Sequence, residues 1–141
     1  MTLNHYVPAG STGHGRLTVD ITPADAGWGF SGLRVAVLAP GESITLDTGV
    51  SELLVLPLVG SCSVEVDGRT YELLGRTGVL EQITDYLYVP RSTSLTVTSE
   101  QGGRFAFPSA VAEKDLPVRH LGREQATTAP KIGRASCRER V

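Results

Sequence analysis

One stretch, residues 40–68, restricts the fold of this chain more than any other part of the sequence. It has almost no helical periodicity and reads PGESITLDTGVSELLVLPLVGSCSVEVDG. Polar and apolar residues alternate at 43–47 and again at 62–67, a pattern typical of strands with one solvated face. Between them, residues 53–59 are almost continuously apolar, which predicts a strand covered on both faces. Asp67-Gly68 tolerates the positive φ values of a type I′ turn and predicts a tight hairpin.

Similar alternation on both sides of that stretch predicts about nine or ten short strands and no confident helix. The further strands are predicted at residues 17–22, 33–38, 69–74, 79–89, 95–98 and 104–111. Turn signals recur at the spacing of a sandwich or barrel, so we predict one all-β domain, a closed or double-sheet barrel of the jelly-roll type. Trp28 and Phe30 are expected to anchor the core, and Gly102-Gly103 to close another hairpin. Residues 1–16 are expected to form an irregular arm before a barrel at 17–118.

The composition fits a globular domain and excludes several classes of function. The 141 residues carry 13 Lys and Arg against 15 Asp and Glu, a net charge of -2 that argues against a nucleic-acid partner. Apolar runs fall far short of the ~20 residues of a membrane span. Residues 1–16 lack the basic and apolar regions of a signal peptide, so we expect a cytoplasmic protein with no membrane partner. Nothing in the positions of Cys62 and Cys137 predicts a disulfide.

Few side chains are candidates for catalysis or metal binding. His5, His14 and His120 are far apart and form no His-x-His pair, so the residues themselves predict no metal site. Cys62 begins an alternating strand and is expected to point into the core, without a base beside it. We expect solvation to account for the acidic residues at strand ends and on polar faces. These are Asp47, Glu52, Glu65, Asp67, Glu81 and Asp85. We assign no catalytic residue and no metal ligand.

Three arginines, Arg16, Arg34 and Arg76, are open to two interpretations. A guanidinium group at the mouth of a barrel could hold the carboxylate of a sugar acid through two parallel hydrogen bonds. Alternatively each is an ordinary surface arginine, since most charged side chains are solvated. Residues that contact a substrate are therefore left unassigned.

The order of turns and strands in the central stretch resembles the first conserved motif of the cupin superfamily. That motif places two histidines and a glutamate, all metal ligands, between two glycines. Here Asp47 and Gly49 stand at the histidine positions, and Leu53 stands at the glutamate position. The second cupin motif falls on residues 90–95, where Leu95 takes the place of the last ligand. The resemblance implies a cupin-type jelly-roll barrel in which all four metal ligands are lost.

A closer resemblance covers nearly all of the chain up to about Val118. The segments PAGSTGHGR, AGWGFSGLRV and LPLVGSCSVEVDG are similar to the N-terminal half of the 5-deoxy-glucuronate isomerase family, whose relatives include 5-keto-4-deoxyuronate isomerase. The resemblance implies an intramolecular oxidoreductase of myo-inositol catabolism. The family reaction converts 5-deoxy-glucuronate, an aldose acid, to 5-dehydro-2-deoxy-gluconate, a ketose acid.

Members of this family contain two cupins and hold their metal in the second. The resemblance therefore implies that this chain is the metal-free half, with no cofactor of its own and no catalysis alone. A divalent metal in the C-terminal cupin can polarise the carbonyl while a base moves the proton. The implied partners are a sugar-acid substrate and the C-terminal cupin, and a homo-oligomer is compatible with the resemblance. A complete one-domain cupin, acting as a small-ligand-binding or interaction module, is the alternative.

The last ten residues, 132–141, follow neither strand nor helix periodicity and read IGRASCRERV. They resemble the translation of a common sequencing adapter, so we interpret them as non-native and residues 119–131 as the start of an inter-domain linker. The alternative is a natural basic tail, since Arg134, Arg138 and Arg140 are clustered.

Overall fold

The computed structural model describes residues 6–128, which form nine β-strands and two short α-helices. In chain order these are β1 Leu17–Ile21, α1 Pro23–Ala26, β2 Ser31–Leu38, β3 Glu42–Asp47, β4 Ser51–Val66, β5 Arg69–Arg76, β6 Tyr86–Val89, β7 Ser94–Ser99, β8 Gly103–Val111, β9 Arg119–Leu121 and α2 Arg123–Thr128. The all-β class is confirmed. His5, Cys137 and the segment interpreted as adapter translation, 132–141, lie outside the described residues.

The strands form two antiparallel sheets joined by one long strand. Sheet A follows the order β1-β2-β8-β4-β6-β9. Sheet B contains β3, β7, the second half of β4, and β5. The first half of β4 pairs with β8 and β6 in sheet A. Because β4 belongs to both sheets, it holds the two layers of the jelly roll together.

Strand β4 is a single strand of 16 residues where the sequence predicted two. Its passage from one sheet to the other lies at Gly60, where the register with β5 shifts before Cys62. Gly60 has φ +95, and a Cβ atom there would lie 2.6 Å from the carbonyl oxygen of Gly102. Only glycine fits such a bulge, which bends the strand without ending it. The sequence analysis predicted two separate strands here, and this was wrong because the bulge at Gly60 bends β4 without ending it.

The two predicted glycine hairpins have different outcomes. Asp67 and Gly68 have φ values of 50 and 78, and Val66 pairs with Arg69 across them, so the first hairpin is confirmed. The prediction of a hairpin at Gly102-Gly103 was wrong. The preceding strand β7 pairs with β3 and β4, whereas β8 pairs with β2 and β4. The turn therefore carries the chain from sheet B to sheet A.

The core lies between the inner faces of the two sheets. Its largest fully buried apolar side chains include Phe105, Phe107, Leu73, Leu87, Leu95, Val55, Val64 and Val97. Trp28 and Phe30, which were expected to anchor the core, are 51% and 67% exposed, so that expectation was wrong. They lie in the connection after Gly27, which ends α1 in the left-handed conformation. This connection runs before β2 begins at Ser31, outside the layer between the sheets.

The described C-terminal part of the chain adds a short edge strand to sheet A. Strand β9 pairs with β6, so the sheet runs three residues past Val118, the predicted end of the barrel. The division into arm, barrel and linker stays a prediction. Within residues 6–128, no helix has the length and apolar character needed to cross a membrane.

Candidate functional site

The four positions that the sequence analysis matched to cupin metal ligands are Asp47, Gly49, Leu53 and Leu95, and they offer no ligand set in this structure. Leu53 is 4% exposed and Leu95 is 1% exposed, and both pack in the core. Asp47 is exposed at the end of β3, and Gly49 offers no side chain. One carboxylate beside two leucines cannot hold a metal, because leucine has no donor atom. Within residues 6–128, no three His, Cys, Asp or Glu side chains form a group that could hold a metal ion.

A cavity of about 180 Å³ lies beside these positions. Its polar lining is Arg34, Asp47, Thr48, Ser51 and Ser109, with others. The Arg34 Nε donates to Asp20 Oδ1 at 3.1 Å, and the Thr48 hydroxyl donates to the carbonyl oxygen of Pro90 at 2.9 Å. The cavity is thus small and partly polar, and its arginine is already held in an ion pair within the protein.

The other two candidate arginines are also paired inside the chain. Arg16 forms an ion pair with Glu42. Arg76 is half-buried, and its Nε donates to the carbonyl oxygen of Pro57 at 3.0 Å. These contacts account for all three candidate arginines as structural groups, and the structure does not bring the three together.

Asp85 is a buried charged residue that the sequence analysis placed among solvated acids, and that expectation was wrong. Its side chain is 2% exposed. Its carboxylate accepts hydrogen bonds from the backbone N–H groups of Leu74 and Gly75, each at 2.9 Å. His120 Nε2 lies 3.2 Å from the same carboxylate. Burial raises the pKa of Asp85, but these hydrogen bonds outweigh it and hold the pKa below its usual value.

The Asp85–His120 pair joins three strands. His120 lies on β9 opposite Leu87 of β6, and the accepted N–H groups belong to β5. Nearby, burial raises the pKa of Cys62 to about 12, and the charges of Asp85 and Glu72 add to that shift. A thiol with this pKa stays protonated at neutral pH and is a poor nucleophile. The cluster therefore holds sheet edges together and lacks an activated nucleophile.

A second polar pair lies on the outer side of sheet A. The hydroxyl group of Tyr88 donates to the carboxylate of Glu52. Burial and this acidic neighbour raise the pKa of Tyr88 to about 12. The sequence analysis expected Glu52 to be solvated and did not anticipate this contact. Its only sequence signal is the alternation that places Tyr86 and Tyr88 on one face of β6.

Two antiparallel sheets that share one bent strand, with glycines at the turns of the cupin motif, define a cupin-type jelly-roll barrel. A cupin protein of Bacteroides fragilis has the same fold, with a TM-score of 0.52 at 13% identity over 70% of this chain and 80% of that one. The particular family follows from the sequence. Residues 5–141 match the KduI/IolB family, and the chain belongs to it. The match runs through residue 141 and does not separate 132–141 from the rest.

Relatives within this family are longer than this chain. The chain is 30% identical over 107 residues to a 5-deoxy-glucuronate isomerase of Bacillus velezensis, covering 74% of this chain and 40% of the relative. A solved IolB-like protein of Salmonella typhimurium has a TM-score of 0.74 at 30% identity, over 81% of this chain and 44% of that one. The chain thus spans less than half the length of the relatives it matches.

Proposed function

We propose that this chain is the N-terminal, metal-free half of a 5-deoxy-glucuronate isomerase. The full protein would convert 5-deoxy-glucuronate to 5-dehydro-2-deoxy-gluconate in myo-inositol catabolism. The observation that carries the proposal is the 30% identity to the Bacillus velezensis 5-deoxy-glucuronate isomerase over 107 residues. The IolB-like Salmonella structure, similar over 81% of this chain, supports the same assignment.

The chemistry of the reaction supports a division of labour between two halves. Interconversion of an aldose and a ketose moves a proton between neighbouring carbons and needs a polarised carbonyl and a base. At the cupin ligand positions this half carries the core residues Leu53 and Leu95. The Asp85 carboxylate is enclosed by N–H donors and His120. The metal and the base are therefore assigned to a C-terminal cupin, and this half alone is expected to be inactive.

A second candidate is a complete one-domain cupin that binds a small ligand. The cavity of about 180 Å³ beside Arg34 is the observation that favours it. The guanidinium could hold a carboxylate there if Asp20 released it. This candidate ranks second because the relatives named as isomerases cover most of the chain.

The test is to resequence the gene past the codon for Lys131 and to assay two proteins. The 141-residue chain and the product of any longer reading frame are each incubated with 5-deoxy-glucuronate and a divalent metal. We expect no turnover by the 141-residue chain, and turnover by the longer protein that chelation with EDTA removes. Robust turnover by the 141-residue chain, or none by the longer protein, would contradict the proposal. A carboxylate ligand bound by the 141-residue chain, with a reading frame that ends at Val141, would favour the second candidate.

A further inference from the structure

Sheet A carries a row of apolar residues on its outer face as well as on the face that covers the core. On β2, β8 and β4, Val35 lies opposite Ala106, and Ala106 lies opposite Leu56. Val19 of β1 lies opposite Val35 and extends this row across four strands. Residues paired across strands share a face, and neighbouring residues such as Phe105 point into the core. The row therefore faces away from the barrel interior.

The same face contains an open groove along β4, β6 and β9, lined mainly by apolar residues and also by Arg76, Glu81 and Arg119. Two cavities, of about 300 and 440 Å³, share Leu54 and Tyr88 in their linings. A third, of about 430 Å³, shares Tyr86 with the second. We call this surface the outer groove and define it by six residues. They are Leu54, Leu56, Tyr86, Tyr88, Leu116 and Leu121.

The pattern of this face is that of a covered sheet. An antiparallel sheet with a solvated outer face alternates apolar and polar residues along each strand. In β4 the outward residues are Leu54, Leu56 and Leu58, all only half-buried here. The acidic Glu52 at the margin is already bonded to Tyr88. Leu116 at the edge is 49% exposed. A contiguous apolar surface of this kind marks an interaction site.

We propose that the outer groove is the surface on which the second half of the full-length protein packs. The inference rests on the proposed function, because that function supplies the occupant. More than half the length of the matched relatives lies outside the segment that this chain covers. That missing part is large enough to form a further domain, and inter-domain interfaces bury roughly 600–1,500 Å².

The path of the chain places this occupant at the groove. Leu116 and Pro117 line the groove, and the next residues form β9, the edge strand beside it. Helix α2 follows directly at Arg123–Thr128. A domain that follows α2 in the same chain would meet the groove at high effective concentration, so a moderately apolar surface is enough to hold it.

The experiment compares hydroxyl-radical labelling of Leu54, Leu56, Tyr86 and Tyr88 in two proteins, the 141-residue chain and the full-length product of the resequenced gene. We expect at least fivefold slower labelling of these four residues in the full-length protein. Leu74 on β5 is 67% exposed and serves as the reference, with labelling unchanged between the two proteins. Equal labelling of the groove in both proteins would overturn the inference, as would a reading frame that ends at Val141.

Matched variants separate this inference from the proposed function. Leu54→Arg should lower the Tm of the full-length protein by at least 5 °C more than that of the 141-residue chain, whereas Leu74→Arg should change both equally. Groove labelling that slows with concentration in the 141-residue chain would assign the face to a second copy and overturn the proposal. A full-length protein that protects the groove but does not isomerise 5-deoxy-glucuronate would refute the function alone. An active protein with an unprotected groove would refute this inference alone.

Discussion

The two faces of sheet A have similar composition and different surroundings. On β4, Leu53 and Val55 point inward and are 4% and 0% exposed. Their neighbours Leu54 and Leu56 point outward and are only half-buried. Apolar area stabilises a fold only in proportion to the water it excludes, at about 25 cal/mol per Å². The inner face therefore contributes its full apolar area to the stability of this barrel, while part of the apolar area of the outer face stays in contact with water.

This difference shows why a continuous apolar run is ambiguous in a sequence. Residues 53–59 were predicted to form a strand covered on both faces. The inward half of that run is covered by sheet B and the rest of the core. The outward side chains Leu54, Leu56 and Leu58 are only partly covered within the described part of the chain. We propose that the second half of the full-length protein covers the rest of their surface.

The inner face should show the largest loss of stability on truncation. Phe105 is fully buried between the sheets. Phe105→Ala removes its contacts and leaves a cavity, so we expect the free energy of unfolding to fall by about 3–5 kcal/mol. Denaturation in urea measures this. The matched control is Phe30→Ala at a position that is 67% exposed, which should change it by less than about 0.5 kcal/mol. Similar losses for both phenylalanines would contradict the placement of the core.

Two neighbouring leucines test the comparison within one strand. Leu53→Ala should destabilise the 141-residue chain by about 2–5 kcal/mol, as for other core leucines. Leu54→Ala should cost less, about 1–2 kcal/mol, because part of its side chain already contacts water. The same urea denaturation applies to both. Equal costs would mean that the outer face is already buried in the isolated chain, for example by self-association.

Asp85, a buried charge at the edge of the inner face, should have an intermediate effect. Asp85→Asn weakens the hydrogen bonds that the side chain accepts from the backbone N–H groups of Leu74 and Gly75. We expect the free energy of unfolding to fall by about 1–3 kcal/mol at pH 7. Asp67→Asn in the exposed hairpin turn is the matched control, with little change. In the folded protein the pKa of Asp85 lies below its usual value. Its contribution is therefore present above about pH 4, the unfolded pKa, and lost as pH falls through the folded pKa.

The loss of the Asp85 contribution at low pH can be measured directly. Unfolding free energies of the wild-type protein and Asp85→Asn, determined from neutral to acidic pH, should converge as the pH falls. A gap that stays constant on acidification would mean that the ionised carboxylate is not what stabilises the cluster.

Chemical reactivity provides the smallest and most local test of the inner face. Cys62 is 4% exposed, and its pKa is raised to about 12, mainly by burial. We expect iodoacetamide to label it very slowly in the native protein and rapidly in denaturant. Peptide mass spectrometry separates this site from Cys137. Fast native labelling of Cys62 would show that the barrel opens easily around the second half of β4.

Features set by neighbouring residues could be predicted from the sequence. Asp67-Gly68 specifies its own turn, and the alternation of Val64 and Val66 with polar residues identifies an inward row without knowledge of the partner strands.

Features that depend on distant strands could not be predicted in this way. Asp85 is buried because β5 supplies two N–H donors and β9, 35 residues further on, supplies His120. Nothing local to Asp85 signals either contact. Gly102-Gly103 was expected to close a hairpin because the dipeptide permits a turn, but the strands it connects find their partners elsewhere. Pairing partners are a property of the whole topology.

The long strand β4 also has a consequence for synthesis on the ribosome. Leu53 pairs with Ser109 and Leu56 with Ala106, so sheet A cannot close around β4 until the chain has been made to about Val111. At roughly 5–20 residues per second, the 16-residue strand β4 waits several seconds for β8 in a nascent chain, paired at most with β5, β6 and β7. Translation that stops before β8 would leave the edge of β4 that pairs with β8 open, and such products should be substrates for chaperones or proteases.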